Sequence, residues 1–142
     1  MKSVGVFVVL LAAASLLVGC GPGGPVTHQV TGTVTFDGAP VQDGDIVFRD
    51  PAGKEKSYGG RIENGEFSLE VSPGAKRVEI TAMREVPGEF DTMNPGEKVP
   101  LKEPYIPAEY NTNSTLTAEI TGAETLSFDL KRAEDGRSSE AE

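Results

Sequence analysis

The sequence predicts an all-β fold, a seven-stranded antiparallel β-sandwich. Three observations carry this. Apolar residues recur with a period of two through seven short runs. Gly, Pro, Asn and Asp cluster between those runs. Beyond residue 20, no window sustains the 3.6-residue period of an amphipathic helix.

The first run, Gln29 to Phe36, sets Val30, Val34 and Phe36 on one face and Thr31, Thr33 and Thr35 on the other. Alternation with β-branched residues is the pattern of a strand with one buried face. Asp37-Gly38-Ala39-Pro40 then turns the chain. The same parity returns at Ile46 and Phe48, and Asp50-Pro51-Ala52-Gly53 closes that strand. Tyr58 and Ile62 mark the third run. Glu63-Asn64-Gly65-Glu66 joins it to a fourth, Phe67, Leu69 and Val71, and Asn-Gly is a strong hairpin signal because both residues accept φ > 0. Ser72-Pro73-Gly74 leads to the fifth, Val78, Ile80 and Ala82. Leu116, Ala118 and Ile120 form the sixth; Leu126, Phe128 and Leu130 form the seventh, after Thr121-Gly122-Ala123-Glu124. The expected core includes Val34, Phe36, Phe48, Phe67, Ile80 and Phe128.

Arg84 to Ala108 breaks this rhythm. It carries Pro87, Pro95, Pro100, Pro104 and Pro107 and shows no sustained period. Proline cannot donate to a ladder, so the segment is expected to be a long loop rather than a central strand. Loops of this length are uncommon unless they are functional or disordered. Phe90, Tyr105 and Tyr110 flank its prolines. Such aromatics can form a binding platform, but the favoured reading is that Tyr105, Ile106 and Tyr110 pack back on the sandwich and pin the loop.

Ahead of the domain, residues 1–19 run MKSVGVFVVLLAAASLLVG: one cation at Lys2, then an uncharged apolar stretch. The stretch is shorter than the ~20 residues that span a bilayer and stops at small residues, the outline of a cleavable signal. Leu17-Val18-Gly19-Cys20 resembles the lipobox of bacterial lipoproteins, with an aliphatic residue at −3, a small residue at −1 and then the lipidated cysteine. The resemblance implies cleavage before Cys20, acylation of its thiol (palmitate among the chains) and anchoring on the non-cytoplasmic side of the cell membrane or outer membrane. Cys20 is the single cysteine of the chain, so no intramolecular disulfide can form. Residues 20–27 read as a lipidated Gly/Pro tether, 28–130 as the sandwich and 131–142 as a disordered polar tail.

The formal net charge is −9 and becomes one unit more negative when Lys2 leaves with the leader. That argues against nucleic acid, which requires a basic footprint, and against an electrostatic clasp on anionic lipid. The expected partners are the membrane, through acyl chains, and an envelope glycan or protein. The domain itself is expected to be a monomer.

The run Gly32-Thr33-Val34-Thr35-Phe36-Asp37-Gly38-Ala39-Pro40-Val41 resembles the opening of carboxypeptidase regulatory-like domains, with their G-x-V-x-x-x-G-x-P-V pattern. Ile62-Glu63-Asn64-Gly65-Glu66-Phe67 and Pro73-Gly74 resemble the central hairpin and following turn of that family. Tyr105 to Thr112 and the stretch to Leu130 resemble a subgroup of small bacterial lipoproteins with this domain. The resemblance implies a transthyretin-like (prealbumin-like) sandwich with an accessory or binding role.

Catalytic, cofactor and metal residues are not expected. A nucleophile–histidine relay needs a histidine, and His28, the single one, lies at the tether junction. Transthyretin-like hydrolases of purine catabolism use several histidines and a Tyr-Arg-Gly-Ser tail, which this chain lacks. Asp43, Asp45 and Asp50 could begin a Ca²⁺ site, but no D-x-D-x-D-G loop surrounds them, and an acidic edge that discourages strand addition is the favoured reading. An internal Lys–Asn cross-link would need a lysine on the first strand, which has none. Asn113-Ser114-Thr115 fits a glycosylation sequon but reads as a polar turn. The chain is thus expected to be a non-enzymatic envelope lipoprotein with a structural or accessory role. The alternative is a glycan- or peptide-binding module using the Pro-rich loop 84–108.

Overall fold

The computed structural model describes residues 23–133. The expected leader, Cys20 and positions 134–142 of the expected tail lie outside the described residues. The elements are β1 (His28–Phe36), β2 (Ala39–Pro40), β3 (Asp43–Arg49), β4 (Tyr58–Glu63), β5 (Glu66–Val71), β6 (Gly74–Asp91), β7 (Val99–Pro104), a 3₁₀ turn (Ala108–Tyr110), β8 (Thr117–Ile120) and β9 (Glu124–Leu130). Each of the seven expected runs is a strand, and the fold is an all-β sandwich.

One layer is β9-β1-β5, the other β4-β3-β6 with β8 on the outer edge of β6. The β4–β5 hairpin joins them. Its strands pair only at Ile62↔Phe67 and Glu63↔Glu66, then diverge into separate layers. Phe48 of β3 meets Phe67 of β5 across the gap at 6.3 Å between ring centroids, and Phe67 meets Phe128 of β9 at 6.1 Å. All six expected core residues are buried. Gly32 makes this packing feasible. A Cβ there would stand 2.7 Å from Phe67 Cζ and would also strike the carbonyl of Leu126. The ring therefore lies over the glycine, between β5 and β9.

Two glycine turns lock the end of the sandwich where β1 finishes. Asp37-Gly38 and Asn64-Gly65 both take positive φ at both residues, the geometry of tight hairpin turns. Gly65 sits against Pro40, accepts the Val34 N–H at 2.8 Å and donates its own N–H to Val41 O at 2.7 Å. The Asp37–Val41 and Asn64–Gly65 segments are thus one packed unit.

The antiparallel expectation has one exception. β9 runs parallel to β1, with Val30↔Glu124 through Phe36↔Leu130 in register. β8 pairs with β6 and runs toward the His28 end, so the short link after Ile120 delivers β9 into the other layer at that end. From there β9 must run in the direction of β1.

The larger correction concerns Arg84 to Ala108. It is mostly strand. β6 continues to Asp91, nine residues beyond Ala82, and pairs with β7 as an antiparallel ribbon. Its prolines fall where a ladder tolerates them. Between Glu85↔Lys102 and Phe90↔Pro100 the register shifts, and Pro87 and Gly88 (φ 79°) sit in that bulge. Tyr105 donates its N–H to Ala82 O at 3.3 Å. By alternation, the even-numbered positions of β7 aim their amide sites away from β6, and Pro100 and Pro104 occupy two of them.

The chain also closes the outer edge of β6 between β7 and β8. Asn111 Nδ2 donates to Ile80 O (3.4 Å), Ile106 O (3.3 Å) and Pro107 O (3.1 Å). Ser114 Oγ donates to Val78 O. Two side chains thus satisfy backbone carbonyls that a neighbouring strand would otherwise take.

Candidate functional site: the ribbon and the groove at its root

β1 and the first nine residues of β6 each run the height of the sandwich. His28 pairs with Val71, close to where β6 begins at Gly74. At the other end, Tyr105 packs edge-on against Phe36 (5.5 Å, 77°) while its N–H holds Ala82. The β6–β7 ribbon therefore leaves the pole opposite the one at which the N-terminal segment enters. Nine residues at ~3.3 Å each give it a reach of about 25 Å, allowing for the bulge.

Both faces of the ribbon root are held. On one, Arg84 bonds Glu103 at 2.6–2.7 Å and lies 5.6 Å over the Tyr105 ring. Burial pushes the Tyr105 phenol up, so it stays protonated. On the other face, Asp43 accepts from both Arg61 and Lys102, the latter at 3.4 Å. A groove of about 390 Å³ runs beneath, lined by Asp43, Asp45, Arg61, Thr81, Lys102 and Asn111. Two carboxylates and two cations balance there, so the groove favours no sign of ligand.

Beyond the root the ribbon carries its apolar groups in solvent. Phe90, Met93, Val99 and Leu101 are exposed, with Met93 at 88%. Met83, at the root, is exposed as well; these five and Val26 are the exposed large hydrophobics among the described residues. Lys98 lies 5.9 Å over the Phe90 ring.

The sequence-predicted candidates fall elsewhere or do structural work. Cys20 lies outside the described residues. His28 opens β1. Asp43 and Asp45 share the outer face of β3, as their spacing implies, but Asp50 turns onto its own loop. Its carboxylate accepts the N–H groups of Lys54 (2.7 Å), Ala52 (3.3 Å) and Glu55 (3.3 Å). The Lys54 bond chiefly holds its acidity below the usual carboxylate range. Ile106 is buried and Tyr105 and Tyr110 pack against the core, with Tyr110 Oη accepting the Lys131 N–H at 3.1 Å. In the sequon, Ser114 is buried and spent on Val78.

Sequence reasoning missed a buried lysine. Lys76 is 2% exposed, and its Nζ donates to Glu55 Oε2 at 2.8 Å. Ser72 Oγ donates to the same oxygen at 2.8 Å. The Lys76 bond, reinforced by Ser72, holds the Glu55 carboxyl below its usual range. The signal was present in the parity: Lys76 lies two residues before Val78 on the inward face of β6.

The outer face of β5-β1-β9 is a second polar surface. Thr31–Thr125 (3.2 Å), Thr33–Ser127 (3.3 Å), Thr35–Asp129 (2.6 Å) and Gln29–Ser68 (2.6 Å) pair across its strands. These hydroxyls largely satisfy one another.

No family model matches the chain, and no curated protein matches it. Among solved structures, a 9R-lipoxygenase from Cyanothece PCC8801 aligns at 16% identity and a TM-score of 0.29. The alignment covers 74% of this chain and 16% of the lipoxygenase. A likeness at that level carries no argument about fold or activity.

Proposed function

We propose that this protein is a lipid-anchored, non-enzymatic lipoprotein of the cell envelope that holds a β-sandwich at the membrane in an accessory role. The observation that carries this reading is Leu17-Val18-Gly19-Cys20 followed, eight residues after the cysteine, by the first strand of a folded domain. A Gly/Pro segment in between supports a tether, because Gly21-Pro22-Gly23-Gly24-Pro25 favours neither helix nor strand. More than one acyl chain at Cys20 would make the attachment stable, where a single chain binds marginally. The carboxypeptidase regulatory-like resemblance of residues 32–41 and 62–67 is a second support, and it implies an accessory or binding role.

A second reading, a binding module, is favoured by the exposed apolar groups of the ribbon. It is compatible with anchoring, and the ribbon replaces the loop 84–108 as its seat. The anchoring test is labelling of growing cells with an alkyne-bearing palmitate. Wild type takes up label and fractionates with membranes; Cys20→Ala accumulates as an unlabelled, longer precursor. An unmodified Cys20 in membrane-extracted wild type contradicts the proposal.

A further inference from the structure

We infer that the distal half of the β6–β7 ribbon, residues 86–101, is a docking surface for a protein whose own contact is an apolar cleft rimmed by Lys and Arg. This deepens the envelope reading above, yet its surface argument stands without the anchor. The first observation is where the apolar area lies. Four of the six exposed large hydrophobics among the described residues, Phe90, Met93, Val99 and Leu101, sit on this half of the ribbon, which contributes no buried residue to the core. Phe and Met are enriched at protein interfaces, and concentrated apolar exposure on a soluble surface marks an interaction site.

Charge and backbone chemistry select the occupant. Glu89, Asp91 and Glu97 flank the apolar residues, and among the described residues none of the three forms an ion pair. Lys98 is the one cation in that half, and it lies over Phe90. An acidic rim opposes an anionic bilayer and opposes a second copy of a chain whose net charge is −9. A cationic rim on a protein partner complements it. Strand addition to the ribbon is disfavoured, because Pro100 and Pro104 remove the donors from two of the three outward positions of β7. The partner therefore reads side chains: Phe90 with Pro100 on one face, and Val99 and Leu101 on the other.

The test places benzoylphenylalanine at Met93 of the full chain in its native cells, with Glu119 of β8 as the control position. Irradiation is expected to give one discrete protein adduct from Met93 and none from Glu119. Phe90→Ser with Val99→Ser should reduce the adduct at least tenfold while the chain keeps its all-β circular dichroism. The cross-linked peptide should lie in an apolar segment flanked by Lys or Arg. With that partner purified, Glu89→Lys with Glu97→Lys should weaken binding at least tenfold. No adduct, an adduct to lipid, an adduct to a second copy, one indifferent to the serine variants, or one indifferent to the charge reversal overturns the inference. Membrane fractionation of the same cells reads anchoring separately: a protein adduct from a chain found only in the soluble fraction sinks the lipoprotein reading and leaves this one standing.

Discussion

β6 is one continuous strand with two different lives. From Gly74 to Ala82 it alternates buried and exposed residues, with Lys76, Val78, Ile80 and Ala82 inward. From Met83 to Asp91 it has no buried residue. The backbone ladder continues; the facing layer does not. The sandwich half is stabilised by burial of Val78 and Ile80 against the opposite sheet, worth ~1.5–3 kcal/mol for each large aliphatic. The ribbon half has cross-strand pairs worth only ~0.2–1 kcal/mol each. An isolated two-stranded ribbon is marginal in water. Here its root is clamped by Arg84–Glu103 and Asp43–Lys102, and the sandwich supplies the rigid base.

The comparison is broken most forcefully by a change in the core. Phe48 is fully buried and touches Phe67, so Phe48→Ala should cost ~3–5 kcal/mol, read as a shifted urea midpoint. A loss under about 1 kcal/mol would show that the two sheets do not share this core. Next is Asn111→Ala, which orphans the Ile80 carbonyl on the edge of β6 and the Ile106 and Pro107 carbonyls of the segment after β7. A loss of ~1–3 kcal/mol is expected from that unsatisfied edge. An unchanged midpoint would mean that water replaces the side chain without penalty.

Acid titration sharpens the other pole. Glu55 and Asp50 both have native acidities below the ordinary carboxylate value of about pH 4. Their contribution is full above that range and is lost as pH falls through the lowered native values. Glu55→Gln should therefore lower the unfolding midpoint at pH 7 and converge on wild type as pH falls through the lowered native value. Parallel curves at all pH values would separate Glu55 from Lys76. The smallest effect is expected from the ribbon itself. Replacing residues 86–101 by Asn-Gly shortens a connection whose closure entropy changes by only ~0.6 kcal/mol per doubling. The midpoint should move by less than about 1 kcal/mol, and an unfolded product would show that the ribbon supports the sandwich.

The same contrast explains what could be read in the chain. The seven core-facing strands were legible because a facing layer imposes alternation, as at Val30, Val34 and Phe36. The ribbon was not, because neither of its faces is packed, so Arg84 to Pro104 has no period to detect. Its prolines look like breakers until the bulge at Pro87 and the outward positions of Pro100 and Pro104 are known. The parallel β1–β9 seam was invisible too, since alternation fixes which face is buried and not which neighbour pairs. Tyr105 and Tyr110 were legible as pins. Lys76 was not counted as buried because its partner, Glu55, comes from a loop that no local pattern places over β6.

Native-state hydrogen exchange along β6 tests the central claim most directly, that one strand belongs to two energetic units. Amides from Val78 to Ala82 should exchange only through global unfolding, with protection that tracks the stability lost in Phe48→Ala. Amides from Arg84 to Val86 should exchange through local opening, faster by orders of magnitude and unmoved by that substitution. Uniform protection from Val78 to Asp91, falling together in Phe48→Ala, would contradict it and make the ribbon part of the core's cooperative unit.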